Sequence, residues 1–166
     1  MGAWGHKSLE SDEGLDVVDF IQNYISSKYP NTEQIDLTLS ELIKSMKKEG
    51  FFGKNLKEID FFYDHSAMSL AELYLMFKEK GYLDYEDEEN ENADLKKRVK
   101  SFLGDNDSFH FLLHYLTDIK NEVPDKDGER EIVELWKDSE VYEKWCENLE
   151  YLIEQLNKEL QTMSNA

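Results

Sequence analysis

Apolar residues recur along most of this chain at steps of three and four, the spacing that lines one face of a helix. Leu15, Val18, Ile21 and Ile25, widened by Val17 and Tyr24, mark a first helix from about Asp12 to Ser27. Ser11 stands where a cap accepts a backbone N–H, and Asp12 and Glu13 suit the positive end of the helix dipole. Pro30-Asn31 closes that unit. Thr38-Leu39-Ser40-Glu41 reads as a capping box, followed by Leu42, Ile43 and Met46 and a stop at Gly50. Ile59, Phe61, Phe62 and Tyr63 fit a short helix or a buried extended piece equally well. Ser69-Leu70-Ala71-Glu72 reads as a second capping box, opening a helix that Gly81 ends. That helix is apolar nearly all round, at Leu70, Ala71, Leu73, Tyr74, Leu75, Met76 and Phe77, which predicts a central, buried element.

From Asp84 to Asp94 there are seven acids and no base, and the periodicity lapses, so the reading is a solvated acidic loop. A short helix is expected over Leu95 to Leu103, ended by Gly104. Asp107 or Ser108 caps the next, whose inner face is Phe109, Leu112, Leu113, Leu116 and Ile119. After the turn Asp125-Lys126-Asp127-Gly128 come a short helix with Ile132, Val133, Leu135 and Trp136, and a long one from about Ser139. The last carries a seam of Val141, Trp145, Leu149, Leu152, Ile153, Leu156 and Leu160. The expected architecture is all-α, a single domain over residues 1–166 with six or seven helices.

Composition supports a folded chain. The 9 Phe, 9 Tyr and 3 Trp are too many aromatics for a disordered one, and 2 Pro with 8 Gly favour helices over a turn-rich β fold. Charge changes the picture more. Asp and Glu number 37 against 19 Lys and Arg, a formal charge of -18. Such a surface repels phosphate backbones and anionic lipid heads, which argues against direct nucleic-acid and membrane binding, and it attracts basic proteins. The single Cys146 rules out an internal disulfide and favours a reducing compartment. Without an apolar run of membrane-spanning length or a basic-then-apolar start, the expected location is cytoplasmic.

The chain opens Met1-Gly2-Ala3-Trp4-Gly5, then reaches the acid-rich helix start Glu10-Ser11-Asp12-Glu13-Gly14-Leu15-Asp16. Together with Arg130-Glu131-Ile132-Val133-Glu134-Leu135-Trp136 and the Trp145 helix, this resembles the uncharacterised bacterial family known as domain of unknown function 4259. His6 and Lys7 depart from the small residues common there. The resemblance carries no established activity. The opening suggests an arm that docks the Trp4 indole into the domain, with Trp136 and Trp145 as further core anchors.

Candidate chemistry is sparse. His110 and His114, four apart on one helix, stand side by side as zinc ligands do, with Asp107 on the same stripe. The zincin glutamate is missing, since Phe111 follows the first histidine, and the stripe lies opposite the apolar face. Asp64-His65 is an acid–base candidate, and His65 a further ligand if it approaches the pair. The chain is expected to work without a cofactor; a divalent metal on His110, His114, Asp107 and His65 is the one exception these residues allow. The acidic stretches lack the glycine and glutamate positions of a calcium loop, and no phosphate-cradling loop, nucleophile elbow or paired-cysteine motif is present.

These residues point first to an interaction protein, immunity-like or antitoxin-like, that binds a basic partner. Trp4, Asp12, Asp16 and Asp19, with Asp84, Glu86, Asp87 and Glu88 of the acidic loop, would carry the contact. The alternative is a metal-binding protein or metal-dependent hydrolase built on the His110/His114 pair. A third is a homo-oligomer joined along the C-terminal seam.

Overall fold

The computed structural model describes residues 3–30, 34–83 and 98–164. It is mostly helical, with a small parallel sheet of two strands. After a single 3-10 turn at Ser8–Glu10 come α1 (Asp12–Lys28), β1 (Ile35–Thr38), α2 (Leu39–Lys48) and α3 (Phe61–Lys80). Then follow β2 (Val99–Leu103), α4 (Asn106–Lys120), α5 (Glu131–Lys137) and α6 (Tyr142–Ser164). The acidic loop, with Asp84, Glu86, Asp87 and Glu88, lies outside the described residues.

The strand pair corrects the all-α expectation. β1 is only four residues long and runs straight into α2, and Thr38 is both its last residue and the cap of the helix, accepting the Glu41 N–H. Four residues alternate too briefly to stand out beside a capping box. The helix expected over Leu95 to Leu103 is corrected too, because residues 99–103 form β2. Ile35 pairs with Val99 but Asp36 with Ser101, so one extra residue is inserted in β2. That insertion lets Val99 and Phe102, three apart, both face the core. A spacing of three is what a helix face would show. On the outer side, the Ser101 hydroxyl donates to Asp36 Oδ1 at 2.7 Å.

The cap of α3 lies nine residues before the one expected at Ser69: it is Asp60, which accepts the Phe62 N–H at 2.8 Å. Its αL cap is Gly81, φ 81°, a conformation that glycine adopts without strain. Every residue from Asp64 to Leu75 is buried. Around this run pack the 3-10 turn, α1, α4, α5, α6 and β2. The inner face of α4 is buried as its periodicity predicts, although its cap is Asp105 rather than Asp107 or Ser108. In α6, Trp145, Leu149, Leu152 and Leu156 are buried, and Trp136 of α5 stacks on Trp145 at 6.0 Å.

Candidate functional site

Three polar side chains in the buried run of α3 do not serve α3 itself. Asp64 meets Arg130, the residue before α5, through two hydrogen bonds of 2.9 and 2.6 Å. Arg130 also donates to the Val123 carbonyl at 3.1 Å, which ties the connection after α4 to the centre of the fold. Burial pushes the Asp64 carboxyl up to about 6 while Arg130 pulls it down. Above that pH the pair is ionic and sealed from water, both side chains being 2% exposed or less.

Ser69 and Glu72 hold the N-terminal arm. The Glu72 carboxylate accepts the backbone N–H of Ser8 at 2.8 Å, that of Leu9 at 2.9 Å, and the Asn148 amide from α6 at 3.1 Å. It therefore does cap a turn, but the turn of another segment. Burial pushes this carboxyl up to about 7, against the pull of those donors. Ser8 is the hub of the clasp. Its hydroxyl lies 2.7 Å from Ser69 Oγ, 3.0 Å from His65 Nδ1 and 3.1 Å from the His65 carbonyl. Its own carbonyl accepts from Ser11 Oγ at 2.6 Å, and Ser11 in turn caps α1 at Gly14. Gly14 is where the arm crosses α1: a Cβ there would lie 2.1 Å from the Ser8 carbonyl oxygen.

Arm, α1, α3 and α5 enclose a cleft of about 410 Å³. Trp4, Glu13, Phe61, His65, Leu135 and Trp136 line it. The sequence reading sent the Trp4 indole into the domain; instead it is 61% exposed at the rim, while the arm is fixed by the Trp4 N–H to the Glu10 carbonyl and by an Ala3–Ser11 bridge. Leu135 is also exposed at this cleft. His65 is 3% exposed and touches Phe61 edge-on at 4.5 Å. Burial lowers its pKa to about 4, opposed by Glu13, so it is neutral at pH 7.

The remaining candidates lie elsewhere. Asp107, His110 and His114 line one shallow groove with Asp118, whose Oδ2 is 3.2 Å from His114 Nε2. The two histidines are exposed, and His65 lines the separate arm cleft. Among the described residues, no group of three or more His, Cys, Asp or Glu side chains is placed to hold a metal ion. Asp12, Asp16 and Asp19 are exposed on α1. The Asp16 carboxyl is raised by partial burial and by Asp19, Glu13 and Asp12 around it. Cys146 is half-buried.

Sequence reasoning missed Ser8, Glu13 and Glu72 as functional partners. Two signals were present: an acid inside the apolar run Leu70–Leu75, and a glycine in the first turn of α1. A charge buried in a core helix needs donors, and a glycine inside a helix usually marks a close approach.

The fold and the cleft define a small helical protein whose N-terminal arm is clasped onto a buried central helix segment. The chain belongs to the family described as domain of unknown function (DUF4259), whose family model matches residues 2–148. No curated protein and no solved structure matches it. Among the described residues, no helix is long and apolar enough to cross a membrane.

Proposed function

We propose that the chain is a protein-interaction module, immunity-like or antitoxin-like, that docks a basic partner protein at the arm cleft. One observation carries this reading. Trp4 and Leu135, exposed by 61% and 51%, come from distant parts of the chain and border the same cleft, which Glu13 also lines. Large apolar side chains left open around a concave, partly acidic surface are the features of an interface core with a charged rim. The occupant is cationic by complementarity: Asp12 and Asp16 flank Glu13 on α1, and the whole chain carries -18. Such a field speeds encounter with a basic protein and weakens with salt.

The test is affinity capture at low and high salt, with the wild type beside a Trp4→Ala/Leu135→Ala variant. A partner with a basic isoelectric point, retained at low salt, released at high salt and lost with the double variant, is the expected result. A partner that the double variant retains in full refutes the cleft as the docking surface. A second reading, a divalent-metal site, has the shared groove of Asp107, His110, His114 and Asp118 in its favour. Metal analysis of untagged protein tests it, and sub-stoichiometric zinc, manganese and iron count against it.

A further inference from the structure

The proton count at Ser8 fixes what His65 shows to the cleft. The Ser8 hydroxyl has one proton and three neighbours within hydrogen-bond distance. A carbonyl only accepts, so the Ser8 proton goes to the His65 carbonyl. Only one arrangement then makes all three contacts hydrogen bonds: Ser69 and His65 Nδ1–H both donate to the Ser8 oxygen. With the proton on Nδ1, Nε2 carries a bare lone pair. No hydrogen bond to Nε2 is made among the described residues, and Nε2 is not sealed from solvent, so it opens on the cleft that His65 lines. Beside it stands the half-buried Glu13 carboxylate, which makes no hydrogen bond or ion pair among the described residues. The cleft thus offers two acceptors, the His65 Nε2 lone pair and the Glu13 carboxylate.

The walls are aromatic: Trp4, Phe61 and Trp136. Aromatic faces attract cations, and the planar guanidinium stacks on an indole while its fork of N–H groups reaches two acceptors at once. A compact ammonium makes the same contacts without the stacking. We infer that the arm cleft is a recognition pocket for one arginine side chain of the docking partner, its guanidinium donating to His65 Nε2 and Glu13 against the Trp4 indole. This rests on the docking reading above and names the group recognised. A neutral His65 accepts such a guest; a protonated one would repel it.

The experiment uses the full chain labelled with 15N at histidine and n-butylguanidinium as probe, beside n-butylammonium and the neutral isostere n-butylurea. In the free protein, His65 Nε2 should resonate as an unprotonated nitrogen and Nδ1 as a protonated one. Butylguanidinium should move the Nε2 signal saturably, with a Kd in the millimolar range fitting so small a ligand. Glu13→Gln and Trp4→Ala, both at accessible positions, should each weaken binding by roughly tenfold. Butylurea binding as tightly as butylguanidinium overturns the cation site, and butylammonium doing so overturns the choice of arginine. A proton on Nε2 in the free protein overturns the inference outright. Failure here is distinguishable from failure of docking, because the probe needs no partner. Probe binding with no basic partner recovered sinks the docking reading alone. A salt-sensitive, Trp4-dependent partner with no probe binding sinks the arginine pocket alone.

Discussion

Glu72 is the buried carboxylate that closes the N-terminal clasp, and its replacement by glutamine separates charge from shape. Burial places the folded carboxyl at about 7 against 4.5 in an unfolded chain. Between those values the folded state holds a proton that the unfolded state has lost. Stability therefore falls as pH rises through this window, is insensitive to Glu72 below it, and has taken the full loss above it. The whole loss is about 3 kcal/mol, from 1.36 kcal/mol for each pH unit of difference. Because the isoelectric point is about 4.5, the useful range starts near pH 5.5, and from there to about pH 7 the loss is roughly 2 kcal/mol. His65 acts in the opposite sense, since its folded pKa of about 4 lies below the unfolded 6.5 and stability drops as pH falls through that interval. Asp64, raised to about 6, acts with Glu72 at the acid end. Subtracting the Glu72→Gln profile from the wild-type one cancels these shared contributions to first order. Glutamine also turns an amide N–H toward a backbone N–H, a constant cost of roughly 1–3 kcal/mol. Urea unfolding followed by tryptophan fluorescence and circular dichroism across that range is the assay. The expected difference curve slopes by about 2 kcal/mol on top of a constant offset. Parallel profiles would show Glu72 ionised throughout and would refute burial as its dominant influence.

Asp64→Ala or Arg130→Ala strands one buried charge, so each should cost about 3–5 kcal/mol in unfolding free energy; a paired Asp64→Leu/Arg130→Met variant should lose much less, and equal losses would contradict this. Gly14→Ala forces a methyl into the Ser8 carbonyl; amide hydrogen exchange at Ser8 and Leu9 should then accelerate by at least about tenfold while α4 stays protected, and unchanged exchange there would count against the close crossing. Gly81→Ala should cost about 1 kcal/mol from backbone strain alone, since a Cβ there meets nothing within 4 Å; thermal unfolding measures it, and a stabilised variant would be inconsistent with the αL cap.

How far the sequence could be read depended on whether a residue's partner was near it in the chain. Caps are local, and Ser11 and Thr38 each accept the N–H three residues on, although the box read at Thr38 forms by half, because the Glu41 carboxylate turns to Lys28 and Tyr24. Leu112, Leu116 and Ile119 on α4, and Trp145, Leu149, Leu152 and Leu156 on α6, were legible because a helix repeats its burial along its own length. β1 was not, because a strand's evidence lies partly in its partner, and Ile35 finds its own at Val99. The motif Ser69-Leu70-Ala71-Glu72 shows the failure most sharply. Its composition satisfies the local rule for a helix start, yet Asp60 starts the helix and both polar residues reach some sixty positions back, to Ser8 and Leu9. A capping box supplies acceptors for orphan N–H groups, and acceptors buried in a helix interior serve whichever backbone arrives there. The same long reach assembles the candidate site: Trp4, Glu13, His65 and Leu135 meet only because Ser8 is pinned to α3 and Arg130 to Asp64. His65 and His110 line separate clefts for the converse reason. Helical spacing sets neighbours along one helix, while the face His65 occupies on α3 was fixed by the arm it holds.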